Sequence, residues 1–142
     1  MKEYKVGYTQ GVYDMFHIGH LNLLLNAKKH CEHLVVGVNA DKLVQIYKHK
    51  TPVIDEESRR FIIENIKPVD ECIIARTLDK LEMHELVKFD VIFIGSDWKG
   101  NLRWVETEKQ LAAVGAEVCY LPYTDGICST VLRKVKDNQV SE

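Results

Sequence analysis

The chain has 142 residues, 46% of them hydrophobic, with a formal net charge of −2. That length fits one domain with one core, and the balanced charge excludes the basic field of a nucleic-acid or anionic-membrane binder. No secretory leader or membrane-length apolar run is present, so a cytoplasmic protein is expected, binding neither membrane nor nucleic acid.

The first predicted element is an apolar strand over Tyr4 to Thr9. It closes at Gly11-Val12-Tyr13-Asp14, and His17-Ile18-Gly19-His20 opens an amphipathic helix whose stripe is Leu21, Leu24, Leu25 and Lys28. Backbone N–H groups and the helix dipole favour an anion at such a strand-to-helix turn. Gly19 lacks a Cβ and lets a phosphate approach the backbone, and either imidazole can donate to an oxyanion. The same two histidines could instead be half of a metal site, or polar groups on a solvated face.

The second strand is Leu34 to Val38, followed by a loop, Lys48-His49-Lys50-Thr51-Pro52-Val53. A lysine there could offset the charge that grows on an α-phosphate during nucleotidyl transfer, or simply face solvent. Asp55-Glu56-Glu57 starts a helix carrying Phe61, Ile62, Ile63 and Ile66, which Pro68 ends. Arg59 and Arg60 lie on it, and neighbouring helix positions point apart, so at most one serves a given site. The third strand, Cys72 to Ala75, leads to a helix over Asp79 to Lys88.

The fourth strand, Val91 to Gly95, ends in Ser96-Asp97-Trp98-Lys99-Gly100. This turn suits a base or acceptor pocket, or else lets Trp98 plug the sheet edge. A helix over Leu102 to Val114 ends at Gly115, and Val118 to Leu121 forms the fifth strand. Thr124-Asp125-Gly126-Ile127-Cys128-Ser129-Thr130 precedes a final helix; Ser129 and Thr130 could bind phosphate there, or Ser129 could merely cap it. The cysteines at 31, 72, 119 and 128 follow no CxxC or zinc spacing and are expected as reduced thiols.

Strands alternating with helices imply a Rossmann-like, doubly wound five-stranded parallel sheet flanked by helices, in a single α/β domain over residues 1–142. Ligands bind such sheets beyond the carboxyl ends of the strands. Every polar cluster named above falls at such an end.

This ordered set resembles the cytidylyltransferase family of HxGH nucleotidyltransferases, most nearly the glycerol-3-phosphate cytidylyltransferases. The likeness runs from about Tyr8 to Lys134 and includes Glu57-Ser58-Arg59 and Val69-Asp70-Glu71. It implies transfer of CMP from CTP to a small phosphorylated acceptor, with Mg²⁺ accompanying the triphosphate and no metal held by protein ligands. By the same likeness His17, His20 and Lys50 are catalytic. Nucleotide-binding positions are Thr9, Gly11, Val12, Gly19, Arg59, Gly95, Asp97, Thr124, Gly126, Ile127, Ser129 and Thr130. Acceptor-binding positions are Asp14, Lys48 and Trp98. A homodimer is implied too, with Val69-Asp70-Glu71 at a place the family uses in dimer packing.

The chain departs from the family where Tyr123 replaces an arginine and Cys128 a serine; a planar cationic fork is lost there. Lys67-Pro68 and Val12 are further departures. Ile127-Cys128-Ser129-Thr130-Val131-Leu132-Arg133 also resembles a motif of adenylyltransferases. Gly11-Val12-Tyr13-Asp14-Met15, with Lys50-Thr51-Pro52-Val53, resembles phosphoethanolamine and phosphocholine cytidylyltransferases. ATP as donor, an amino-alcohol phosphate as acceptor, and a nucleotide-binding module without turnover therefore stay open.

Overall fold

The computed structural model describes residues 2–122. Its elements run β1 (Tyr4–Gly11), α1 (Ile18–Lys28), β2 (Cys31–Asn39), α2 (Asp41–Lys48), α3 (Glu56–Glu64), β3 (Glu71–Ala75), α4 (Lys80–Val87), β4 (Val91–Gly95), α5 (Leu102–Ala112) and β5 (Glu117–Leu121), with a 3₁₀ turn at Ser96–Trp98. The five strands form one parallel sheet in the order β3-β2-β1-β4-β5. The chain moves outward from β1 on one side and then crosses back to build the other. The direction of winding therefore reverses between β1 and β4, which opens a crevice beyond their carboxyl ends.

β2 shows why the central strands carry unbroken apolar runs. Leu34, Val36 and Val38 pack into a cluster with Leu24 and Ala27 of α1 and Ile63 of α3. Val35 points to the opposite face, into a cluster with Met83 of α4, Trp104 and Leu111 of α5 and Tyr8. Alternate side chains thus bury on both faces, as parallel sheets require. Gly37 leaves room on that second face: a Cβ there would lie 2.1 Å from the Tyr8 hydroxyl. Tyr8 crosses it to donate to Gln10 Oε1 at 2.7 Å.

Two aspartates make the same junction on either side of β1. The Asp70 N–H donates to the Leu34 carbonyl while its carboxylate accepts from the Leu34 N–H. Asp90 brackets Val6 in the same way. Each satisfies a backbone pair where one strand begins beside its neighbour. Burial works to raise the Asp70 pKa, but the Lys28 ammonium and the Leu34 N–H outweigh it and hold it below the usual carboxylate range.

Predicted helices shorten to their capped cores. Asp55 accepts from the Ser58 N–H ahead of α3, Asp79 from the Leu81 N–H ahead of α4, and Asn101 from the Arg103 N–H ahead of α5. The helix ahead of Pro68 stops earlier than expected, at Glu64 with Asn65 as its C-cap. α2 was not anticipated: Lys48 is its last residue, and only His49 onward belongs to the loop. Cys31 and Cys72 are buried free thiols. Cys119 is disulfide-bonded, which corrects the reduced-thiol expectation for that residue; sequence spacing does not report the Cβ geometry a disulfide needs. No helix among the described residues is long and apolar enough to cross a membrane.

Candidate active site

Residues 12–17 connect β1 to α1 through a strained path. Tyr13 and Met15 both take left-handed backbone angles, φ 52° and 49°, an uncommon conformation for bulky residues. The path delivers His17 to the N-cap of α1. His17 Nδ1 accepts the Gly19 N–H at 3.0 Å, and His20 Nδ1 accepts the His17 N–H at 3.3 Å. The two imidazoles stack with centroids 3.8 Å apart, and Tyr13 and Phe16 hold His20 from two further directions.

Because both Nδ1 atoms accept from backbone, each neutral ring carries its proton on Nε2. The cap thereby fixes tautomer and ring direction together. Gly19 is part of the same device: a Cβ on it would lie 2.9 Å from His17 Cε1. Its smallness serves the capping imidazole, a reason that the phosphate-approach argument did not contain.

Burial, and then the neighbouring His17, hold the His20 pKa below the ordinary histidine value of 6.5. A group with a depressed folded pKa contributes stability above its unfolded value and loses it as pH falls through the folded one. Between about pH 6.5 and 5, above the carboxylate range, protonating His20 must displace the His17 N–H. Urea unfolding is expected to show stability falling with pH across that interval, with a shallower fall in His20→Gln. Equal slopes in the two proteins would contradict this placement.

Two clefts flank the imidazole pair. One, of about 330 Å³, is lined by Thr9, Gly11, Val12, His20, Lys48, Gly95 and Trp98, and also by Gln10, Asn39, Tyr47, Leu78, Lys80, Arg103 and Trp104. The other, of about 380 Å³, is lined by Val12, Asp14, His20, Lys48, Lys50, Thr51 and Pro52. His20 and Lys48 line both clefts. Lys50 lines the second cleft alone, and His17 and Gly19 line neither, so the His20 imidazole and two lysines meet at the switch point of the sheet. Trp98 is 42% exposed and forms cleft wall, so it does not plug the sheet edge.

The structure corrects one expectation, for Arg59, and shows what holds Asp14 and where Asp97 stands. Arg59 does not face a ligand: its guanidinium is enclosed, donating from Nε to the Ile54 carbonyl at 2.8 Å, from Nη1 to the Val12 and Asn39 carbonyls at 2.8 Å each, and from Nη2 to Asp41. It fastens the β1 and β2 ends to the lysine loop. Asp14 lines the second cleft, but its carboxylate already accepts from the Val53 and Ile54 N–H groups at 2.8 and 3.0 Å. It positions the loop that carries Lys50. Those backbone donors, with Arg59, outweigh burial and keep its pKa below the usual carboxylate value. Asp97 is exposed on the 3₁₀ turn and lines neither cleft.

Thr9 is 1% exposed and donates its hydroxyl to the Phe93 carbonyl at 3.0 Å, joining β1 to β4 beneath the cleft. His17 and Gly19 stand exposed at the head of α1. Thr124, Gly126, Ile127, Ser129 and Thr130 lie outside the described residues. Sequence reasoning missed Gln10, Asn39, Tyr47, Lys80, Arg103 and Trp104. Four of these follow or end a strand's carboxyl edge or open the next helix, and that position was the available signal.

The cytidylyltransferase-like family model matches residues 8–136. The chain is 35% identical over 130 residues to a glycerol-3-phosphate cytidylyltransferase of Bacillus spizizenii, covering 89% of this chain and 92% of that one. It is 36% identical over 111 residues to an FAD synthase of Aciduliprofundum boonei, covering 78% and 74%. A solved structure of a lipopolysaccharide core biosynthesis protein from Thermoplasma volcanium superposes with a TM-score of 0.72 at 29% identity, over 87% of this chain and 98% of that one.

Proposed function

The chain belongs to the cytidylyltransferase-like family of nucleotidyltransferases, and from that premise we propose that it transfers CMP from CTP to a small phosphorylated alcohol, glycerol 3-phosphate first among them, releasing pyrophosphate. The observation that carries this reading is the backbone-locked pair His17 and His20, with Lys48 shared between the clefts beside it.

An acceptor phosphate is already an anion, so its attack on the α-phosphate needs neither a protein nucleophile nor a general base. Orientation and positive charge are what the protein supplies. The Nε2–H donors of His17 and His20 take non-bridging oxygens as the α-phosphate passes through its five-coordinate geometry. Lys48 and Lys50 draw the two anions together against their mutual repulsion. Asp14 and Arg59 hold the loop so that these lysines keep their place.

Magnesium fits as an ion carried by the nucleotide's phosphates, whose negative charge it would partly neutralise. No cluster of three metal-ligating side chains occurs among the described residues, and Asp14 is occupied by backbone donors. The same reading takes the protein as a cytoplasmic homodimer, a state that sedimentation equilibrium measures directly.

The FAD synthase relative, at nearly the same identity as the cytidylyltransferase one, favours a second reading: AMP transfer from ATP to a phosphorylated acceptor. Pyrophosphate release measured with CTP or ATP against glycerol 3-phosphate, phosphoethanolamine, phosphocholine and flavin mononucleotide separates the two. Turnover is expected with CTP and a phospho-alcohol. Preference for ATP would replace the first reading with the second, and tight nucleotide binding without release would leave a binding module.

A further inference from the structure

Besides His20, the first cleft is walled by Asn39, Tyr47, Lys80, Arg103 and Trp104. Nothing in the transfer step above uses these groups. Their internal hydrogen bonds determine what they can recognise. Gln10 Nε2 donates to Asn39 Oδ1 at 2.8 Å and to the Thr77 carbonyl at 2.9 Å, while Gln10 Oε1 accepts from Tyr8. Asn39 Nδ2 donates to the Tyr47 hydroxyl oxygen at 3.0 Å, and Lys80 Nζ donates to the Leu78 carbonyl at 2.7 Å.

Each acceptor in that chain of contacts holds one donor, while among the described residues two of the three Lys80 N–H groups and the Arg103 fork remain to face a ligand. Two neighbouring cations favour an anionic oxygen over a neutral hydroxyl. Among the described residues no carboxylate forms an ion pair with Lys80 or Arg103. Asp79, adjacent to Lys80, is turned toward the Leu81 and Glu82 N–H groups. Lys80 Nζ lies 5.6 Å from the Trp104 ring centroid. Burial, and then Arg103, push its pKa down to about 8, so the ammonium carries a desolvation cost that a bound anion offsets.

We propose that Lys80 and Arg103 hold a second anionic group of the acceptor, a carboxylate or phosphate at the end remote from the attacking phosphate. This rests on the transfer reading above and revises its acceptor: among small phosphorylated alcohols, one with a charged distal end takes the first place that likeness to relatives gives glycerol 3-phosphate, whose distal end is a neutral hydroxymethyl group.

The test compares 3-phosphoglycerate with glycerol 3-phosphate, which differ only in a carboxylate against a hydroxymethyl group, with glycerol 1,3-bisphosphate as the phosphate arm. Wild-type kcat/KM with CTP is expected at least tenfold higher for 3-phosphoglycerate or glycerol 1,3-bisphosphate, which carry a second anionic group, than for glycerol 3-phosphate. That ratio is expected to fall tenfold or more in Lys80→Met, which keeps the stem against Trp104, and to fall also in Arg103→Gln, an exposed position. Equal use of all three acceptors, or a change in the KM for CTP in place of the acceptor ratio, overturns the proposal. If no acceptor yields pyrophosphate, the transfer reading falls and calorimetry decides the site by itself. Preferential binding of 3-phosphoglycerate that Lys80→Met abolishes upholds it, and equal binding of the two ligands overturns it.

Discussion

Replacing His17 by alanine is expected to lower kcat by about 10²–10³, the effect of removing one donor aimed at charge that develops in a transition state. The same side chain caps α1 through Nδ1, accepting the Gly19 N–H at 3.0 Å. Alanine therefore also removes a cap, at about 1 kcal/mol of stability. His17→Asn separates the two roles. Its amide oxygen can still accept from the helix N-terminus, so the unfolding midpoint recovers. The shorter side chain does not carry a donor to where Nε2–H stands, so turnover stays low. Pyrophosphate release and urea unfolding on the three proteins check this. Near-normal turnover in His17→Asn would remove the imidazole from the chemistry and leave it a cap.

Replacing Arg59 by methionine is expected to destabilise the fold by roughly 3 kcal/mol or more, within the range for breaking a buried ion pair from one side. Three carbonyls, of Ile54, Val12 and Asn39, lose their donor, and Asp41 loses its partner. Asp41 is 27% exposed, so water recovers part of its solvation, while the guanidinium is at 0% and leaves a cavity. Arg59→Lys keeps a charge but offers no fork and recovers only a fraction. Its sequence neighbour supplies the control. Arg60 pairs on the surface with Glu57 and Glu64 at i,i+3 and i,i+4, and Arg60→Met is expected to leave the denaturant midpoint nearly unchanged. Denaturant midpoints decide the case, and similar shifts for the two arginines would contradict the burial argument.

That pair also shows where reading the chain reached its limit. Helical spacing establishes that Arg59 and Arg60 face different directions, but not which way is inward. Family likeness implies a ligand for the inward arginine, Arg59. It is instead enclosed among backbone carbonyls that only the folded β1 and β2 ends bring together. Asp14 follows the same logic, since its two backbone partners come from a loop 39 and 40 residues further on. α2 was overlooked because its eight residues lie between a strand and a basic loop, with a non-capping alanine at its start and only Val44 buried.

The parallel order of strands and helices was legible without coordinates. Unalternated runs such as Val91-Ile92-Phe93-Ile94 require burial on both faces, and such burial requires a doubly covered sheet. The Gly11–His20 turn was legible for a related reason: a strand, a turn and a helix start are contiguous in sequence, so their geometry is local. Spacing alone places His17 and His20 at the strand-to-helix turn where α1 begins. What lay beyond reach was every property that depends on elements distant in the chain meeting at one end of the sheet. Which nitrogen of each imidazole faces outward depends on backbone donors in the folded cap. Whether a charged side chain serves the ligand or the scaffold depends on which partners the fold places beside it. Lys80, Arg103, Tyr47 and Asn39 come from four separate segments and share one cleft because the winding reverses at β1 and β4. Local sequence specifies conformation through short-range sterics and periodic burial. Only tertiary packing decides which donors and acceptors remain unsatisfied, and those are the groups left to meet a substrate.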